Sequence, residues 1–248
     1  MLYIVTARHV AEGLGVDPFY IRVNVPGETH GLFPIDLTQQ HEGHRLRWFL
    51  HHQPCADLAV LPFPFDTSEL KIEATFLLPG NMVEKKQPMV DAGCGDMCHV
   101  IGLFSMRAGK MRNIPVVHTG HIAALSDSKE LIPTRSDQKT VYVEGHLIEI
   151  SNLGGLSGAP VFVRSGLELN VPLDGGASQV ATVYTPELKL LGVWQGSWDT
   201  KLLEYVDRVP VGMGIVTPAY RLVELLDSEP VEANRRDWLE QINSASCD

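Results

Sequence analysis

The sequence predicts an all-β fold, and three observations carry that reading. Short runs rich in β-branched and aromatic residues recur between Gly, Pro, Asn and Asp turn signals through most of the 248 residues. The Pro-rich stretch Pro62-Phe63-Pro64-Phe65-Asp66 divides these runs into two sets. Sustained helical periodicity is confined to the C-terminal end, where prolines stand near the predicted helix starts.

In the first set, residues 2–7 form a strand that ends at Thr6-Ala7-Arg8-His9, before a short helical turn closed by Gly13. Residues 19–25 alternate and stop at Pro26-Gly27, residues 45–51 alternate again, and residues 57–62 are an acidic residue leading a short apolar strand. A linker is expected from about 63 to 90. The second set comprises predicted strands at 97–104, 115–125, 140–150, 160–163, 188–194 and 211–218, the spacing of a β-barrel. Residues 165–187 read as a loop of unusual length, functional or mobile. Helices are predicted at 218–226 and 232–242. The expected division is a first barrel over 1–75, a second over 76–227 and a helical tail over 228–248, with no sequence repeat.

Composition bounds the function. With 44% hydrophobic and 20% charged residues the chain has ordinary globular makeup. A net charge of -10 without a Lys/Arg cluster argues against nucleic acid or an anionic membrane as partner. Cys55, Cys94, Cys98 and Cys247 are too few and too irregular for a disulfide framework. Cys94, Asp96, Cys98 and His99 resemble metal ligands but lack a second paired motif. His41, His44, His51 and His52 lie in a strand pattern and read as surface or edge residues. No metal and no cofactor is expected. No apolar run approaches the roughly 18 residues that span a bilayer, and no charged leader with a cleavage site precedes Leu2. A cytoplasmic location follows if Met1 is the true start.

Three polar residues stand at strand ends or loops: His9, Asp57 and Ser157, separated by 48 and 100 residues. Ser157 lies in Gly155-Leu156-Ser157-Gly158-Ala159-Pro160-Val161-Phe162, a tight Gly-bearing loop entering a buried strand. Such a loop is either an ordinary Gly-Ser turn or the seat of a nucleophile beside an anion hole. A serine hydroxyl is a poor nucleophile at neutral pH; it requires an imidazole base, which in turn requires a carboxylate to fix its tautomer. The three residues supply those roles.

Val5-Thr6-Ala7-Arg8-His9, Asp57-Leu58-Ala59-Val60-Leu61 and Gly155-Leu156-Ser157-Gly158-Ala159-Pro160-Val161 together resemble the chymotrypsin-like (trypsin-fold) serine proteases, in particular bacterial trypsin-like peptidases. Leu191-Gly192-Val193-Trp194 and Gly214-Ile215-Val216-Thr217-Pro218 add to the match, which runs from about residue 3 to 227. The resemblance implies two six-stranded barrels with a serine endopeptidase site between them: His9 as general base, Asp57 as its orienter, Ser157 as nucleophile, and the N–H groups of Gly155 and Ser157 as the oxyanion hole. It implies a protein or peptide substrate. It also implies a specificity pocket based on Ser151, with walls at Gln195, Gly196, Ser197 and Gly214. No acid stands at that base, so small or medium apolar residues are expected before the cleaved bond.

The chain departs from the family pattern in several places. Leu156 stands where activated digestive members carry an acid, and Val10 where many secreted members carry a cysteine, so neither trypsin-style activation nor a disulfide staple is expected. Gln195 replaces a serine that often braces the aspartate. Two strands that normally precede the histidine motif have no residues to form them, so the first barrel is expected to lack its first two strands. A start internal to a longer gene product, or self-association through the open face, would follow. The alternative function is a trypsin-fold binding or regulatory module without turnover. Ala159 and the early His9 argue against an α/β-hydrolase.

Overall fold

The strand-forming sequence of the second half closes on itself. In the computed structural model, which describes residues 1–27, 30–41, 44–63, 72–84, 92–103, 109–136, 139–151, 155–172, 178–200 and 209–245, six strands form a closed barrel. They are β8 (Met97–Gly102), β9 (Val116–Ala124), β12 (His146–Glu149), β13 (Pro160–Pro172), β14 (Ser178–Thr200) and β15 (Val209–Pro218), in the order β12-β15-β14-β13-β8-β9 with β9 returning to β12. Period-two alternation turns Cys98, Val100, Ile122, Ile148, Val161, Val163, Leu191 and Val216 into one buried cluster. The all-β class, the six-stranded barrel and the C-terminal helices are thus as expected.

Two expectations in this half are corrected. Residues 140–150 are not one strand: β11 (Lys139–Val143) pairs with β10 (Ile132–Ser136) in a separate hairpin, and the chain re-enters the barrel at β12 after Glu144-Gly145. Gly145 has no room for a side chain, since a Cβ there would lie 2.5 Å from Ile215 Cγ2. Residues 165–172 and 178–187 are not loop but a continuation of β13 and β14, paired from Gly166↔Tyr184 to Pro172↔Ser178, while 173–177 lie outside the described residues. The alternation Leu167-Glu168-Leu169-Asn170-Val171 and the run Val180 to Tyr184 supply strand sequence.

The first half is more open. β1 (Leu2–Thr6) pairs antiparallel with β7 (Ala59–Phe63), which pairs with β6 (Phe49–Leu50). Two hairpins, β2 (Phe19–Asn24) with β3 (His30–Ile35) and β4 (Gln40–His41) with β5 (His44–Arg45), complete it. Sequence reading did not find β3, because Gly31 and Pro34 interrupt its alternation. It also made residues 45–51 one strand, whereas Leu46, Arg47 and Trp48 separate β5 from β6. Among the described residues these strands do not close into a barrel. Half of the expected linker, residues 64–71 and 85–90, lies outside the described residues, as do 28–29 and Cys247.

Two helices follow the barrel. α2 (Ala219–Leu226) begins directly after Pro218, and α3 (Glu229–Ala245) carries Pro230 in its first turn. Trp238 of α3 is buried with Ile35, Leu37, Leu46 and Leu61, so this helix covers the strands of the first half. Val231, Leu222 and Leu225 pack with Phe49, Leu58 and Val60 on the same side. A buried charged group ties the parts together: Arg221 donates through Nε (3.1 Å) and Nη2 to Glu144 Oε2, and through Nη1 to Glu224 Oε2 at 2.5 Å. Tyr220 also donates to Glu144, whose amide donates to Cys55 O at 2.9 Å.

Candidate active site

β1 delivers the chain to Ala7, where it turns into helix α1 (Arg8–Leu14). This helix runs through Gly13 and stops at Gly15, whose φ of 60° ends it. His9 therefore sits in the first turn, next to the strand that β7 holds in register. Asp57 immediately precedes Leu58 and β7, and Thr6↔Ala59 pairing brings the ends of β1 and β7 together. The outcome is a two-point bond: Asp57 Oδ2 lies 2.7 Å from His9 Nδ1, and Asp57 Oδ1 accepts the His9 amide at 3.0 Å. Among the described residues His9 alone engages this buried carboxylate.

The pairing sets the electrostatics of His9. Its hydrogen bond to Asp57 raises the imidazole pKa above its ordinary value near 6.5; partial burial opposes this, and the charges of Asp57 and Glu12 add to it. The Asp57 bond also fixes the tautomer, since a carboxylate at Nδ1 requires a proton there and leaves Nε2 as the acceptor of the neutral ring. His9 is about half exposed, with a side-chain accessibility of 51%, so a solvent-borne or substrate proton can reach it.

Ser157 arrives from the other half. Gly155 and Gly158 adopt φ of 90° and 89°, a backbone that L side chains rarely take, and the Ala159 amide donates to Leu156 O at 2.8 Å to close the turn. The loop abuts β1: a Cβ on Gly158 would lie 2.4 Å from Thr6 Oγ1 and 3.2 Å from Thr6 Cα. This places the serine loop beside the strand that leads into His9. Gly158→Ala is accordingly expected to cost about 1–3 kcal/mol through strained backbone and overpacking. Thermal unfolding would register that cost, and unchanged stability would show that the loop does not press on Thr6.

On its other side the loop is bonded to β14. The Gly158 amide donates to Trp194 O at 2.8 Å, and the Trp194 amide donates to Ala159 O at 2.8 Å. A bulge between Trp194 and Gly196 takes Gln195 out of the β15 ladder, and the freed Gln195 carbonyl accepts the Ser157 hydroxyl at 3.1 Å. Among the described residues no hydrogen bond joins Ser157 to His9. Neither the Gly155 nor the Ser157 N–H donates to an acceptor among them.

The chain matches no protein-family model and no curated protein. Among solved structures it is similar to the MamO protease domain from Magnetospirillum magneticum in its apo form, at 16% identity over 91% of this chain and 83% of that one, with a TM-score of 0.45.

The remaining predicted residues divide. Ser151 is exposed, and residues 152–154 between it and the serine loop lie outside the described residues. Gln195, Gly196 and Ser197 are half-buried along β14, with Gln195 in direct contact with Ser157. Among the described residues the Gln195 side chain does not bond Asp57, and its buried Oε1 has no hydrogen-bond partner. Gly214 is buried against the indole of Trp194. Sequence reading missed Thr6 as a neighbour of the serine loop and the Glu144–Arg221–Tyr220 group. The only signals for the latter were charged residues interrupting a strand and an apolar helix face.

Proposed function

We propose that the chain is a trypsin-fold serine hydrolase that cleaves peptide bonds through an acyl-enzyme. The supporting observation is the two-point hold of Asp57 on His9, which orients the imidazole, selects its tautomer and raises its basicity. In this reading Ser157 leaves the Gln195 carbonyl by rotation about Cα–Cβ and gives its proton to His9 Nε2 as Oγ attacks the carbonyl carbon. The N–H groups of Gly155 and Ser157 receive the oxyanion. Protonated His9 then returns the proton to the leaving amine. Water repeats the sequence on the acyl-enzyme, releasing the acid and restoring Ser157. Protein or peptide is the substrate.

The pH dependence tests the reading. Only neutral His9 accepts the serine proton, so kcat/KM on a peptide substrate is expected to rise with pH through one ionisation above 6.5. Asp57→Asn removes the principal cause of the upward shift and leaves burial, so that midpoint moves down while the rate falls. Stability carries the opposite sign. A raised folded-state pKa means that the His9–Asp57 contribution is full below the unfolded-state value and fades as pH rises through the folded one. A pH-independent rate with unaltered folding would refute the general-base role.

The Ser157–Gln195 bond favours a second reading, a binding module of the same fold without turnover, because the hydroxyl is engaged away from His9. In that case peptides would bind and remain intact.

A further inference from the structure

Whatever side chain precedes a bond attacked by Ser157 must lie beside β14, because the Ser157 hydroxyl and the Gly158 amide both bond to its main chain, at Gln195 and Trp194. One space beside that strand lies between β14 and β15, where Ser197 pairs with Gly214 and the glycine contributes no side chain. That space is already filled. A Cβ on Gly214 would lie 2.0 Å from Trp194 Cη2, 2.3 Å from Cζ3 and 2.9 Å from Cζ2, so the six-membered ring of the indole rests against the Gly214 backbone. Trp194 is 2% exposed and packs in one cluster with Leu156, the residue before the serine, and with Ile148 and Val216 of the barrel interior. Gly196, on the far side of the Gln195 bulge, differs: it is half-buried and a Cβ there would meet nothing within 4 Å. Among the described residues, space is open over Gly196 next to Ser157, and the barrel at Gly214 is filled by the indole.

We infer that Trp194 is a specificity-determining residue that closes the barrel to a substrate side chain, so that the chain cleaves after Gly or Ala and discriminates against Leu, Phe and Lys. This rests on the serine-hydrolase reading and narrows the sequence expectation of small or medium apolar residues. The physical reason is packing: seating a Leu or Phe would require the indole to leave a dry, close-packed site, and excess volume is poorly tolerated there. A single methylene mismatch in an apolar pocket already changes discrimination by roughly 10–200-fold.

The test is a peptide series identical except for Gly, Ala, Leu, Phe or Lys before the scissile bond, assayed on the whole chain together with fluorophosphonate labelling of Ser157. The expected result is kcat/KM at least about 100-fold higher for Gly and Ala than for Leu and Phe. Trp194→Val should raise the Leu and Phe substrates about tenfold or more relative to Ala. The milder Trp194→Phe should give a smaller change in the same direction. Should the variants not fold, the wild-type series alone decides. A labelled wild-type chain that cleaves Leu or Phe substrates within fivefold of Ala overturns the proposal and leaves the hydrolase reading standing. A chain neither labelled nor able to cut any peptide of the series overturns both.

Discussion

Replacing His9 with alanine is expected to lower kcat/KM on peptide substrates by on the order of 10⁵–10⁶, with the fold intact. The magnitude follows from the interdependence of the parts. In the proposed mechanism, without an imidazole the Ser157 hydroxyl has no base to take its proton, and the amides of Gly155 and Ser157 then have no developing oxyanion to stabilise. His9 lies in a seven-residue helix at the edge of the first half and is half exposed, so its removal opens no core cavity. Asp57→Asn should cost about 10⁴-fold, because an amide nitrogen facing Nδ1 favours the wrong tautomer. Steady-state kinetics on both variants separate the roles: equal, small losses would contradict a base oriented by a carboxylate.

Arg221→Ala carries the largest expected effect on stability, about 3–5 kcal/mol, because it strands the buried Glu144 carboxylate without its counter-ion. For a chain of this size that lowers the unfolding midpoint by roughly 10 °C. Side-chain accessibilities of 5% for Arg221 and 1% for Glu144 place the pair out of water, where an unpaired charge is expensive and a matched apolar replacement is not. The double variant Glu144→Leu/Arg221→Met is therefore expected to be more stable than either single change. Thermal melts of the three variants check this. An Arg221→Ala chain as stable as wild type would mean that Glu144 reaches solvent or takes up a proton at little cost.

The barrel was legible in the sequence because its strands obey a period of two around one core, and Val100, Ile122, Ile148, Val161 and Val163 follow it. Strand ends were less so. The β13–β14 extension reads as a loop in sequence because Pro172 and the Gly175-Gly176 pair outweigh the alternating residues on either side. The first half was harder still, since β4, β5 and β6 are two residues each and carry no periodicity. Trp238 was invisible as a core residue because its burial depends on where α3 lands, on Ile35 and Leu61 far away in the chain. His9 and Asp57 were legible from residue type and strand-end position, and β1–β7 pairing explains why they meet. The Ser157–Gln195 bond was not legible, because it depends on a bulge that no local signal marks. The contact of Trp194 with Gly214 beside the serine loop was not legible either, because it depends on the β14–β15 register.

The most direct test of the central claim is whether Ser157 is an activated nucleophile. Treating the folded chain with a fluorophosphonate and locating the adduct by peptide mass spectrometry reads the assembled site, since the reagent requires base, carboxylate and oxyanion donors together. The predicted result is a single adduct on the peptide carrying Ser157, lost in His9→Ala and Ser157→Ala and stronger as pH rises through the raised His9 ionisation. A folded chain whose Ser157 stays unlabelled at every pH, or labels equally well without His9, would contradict it.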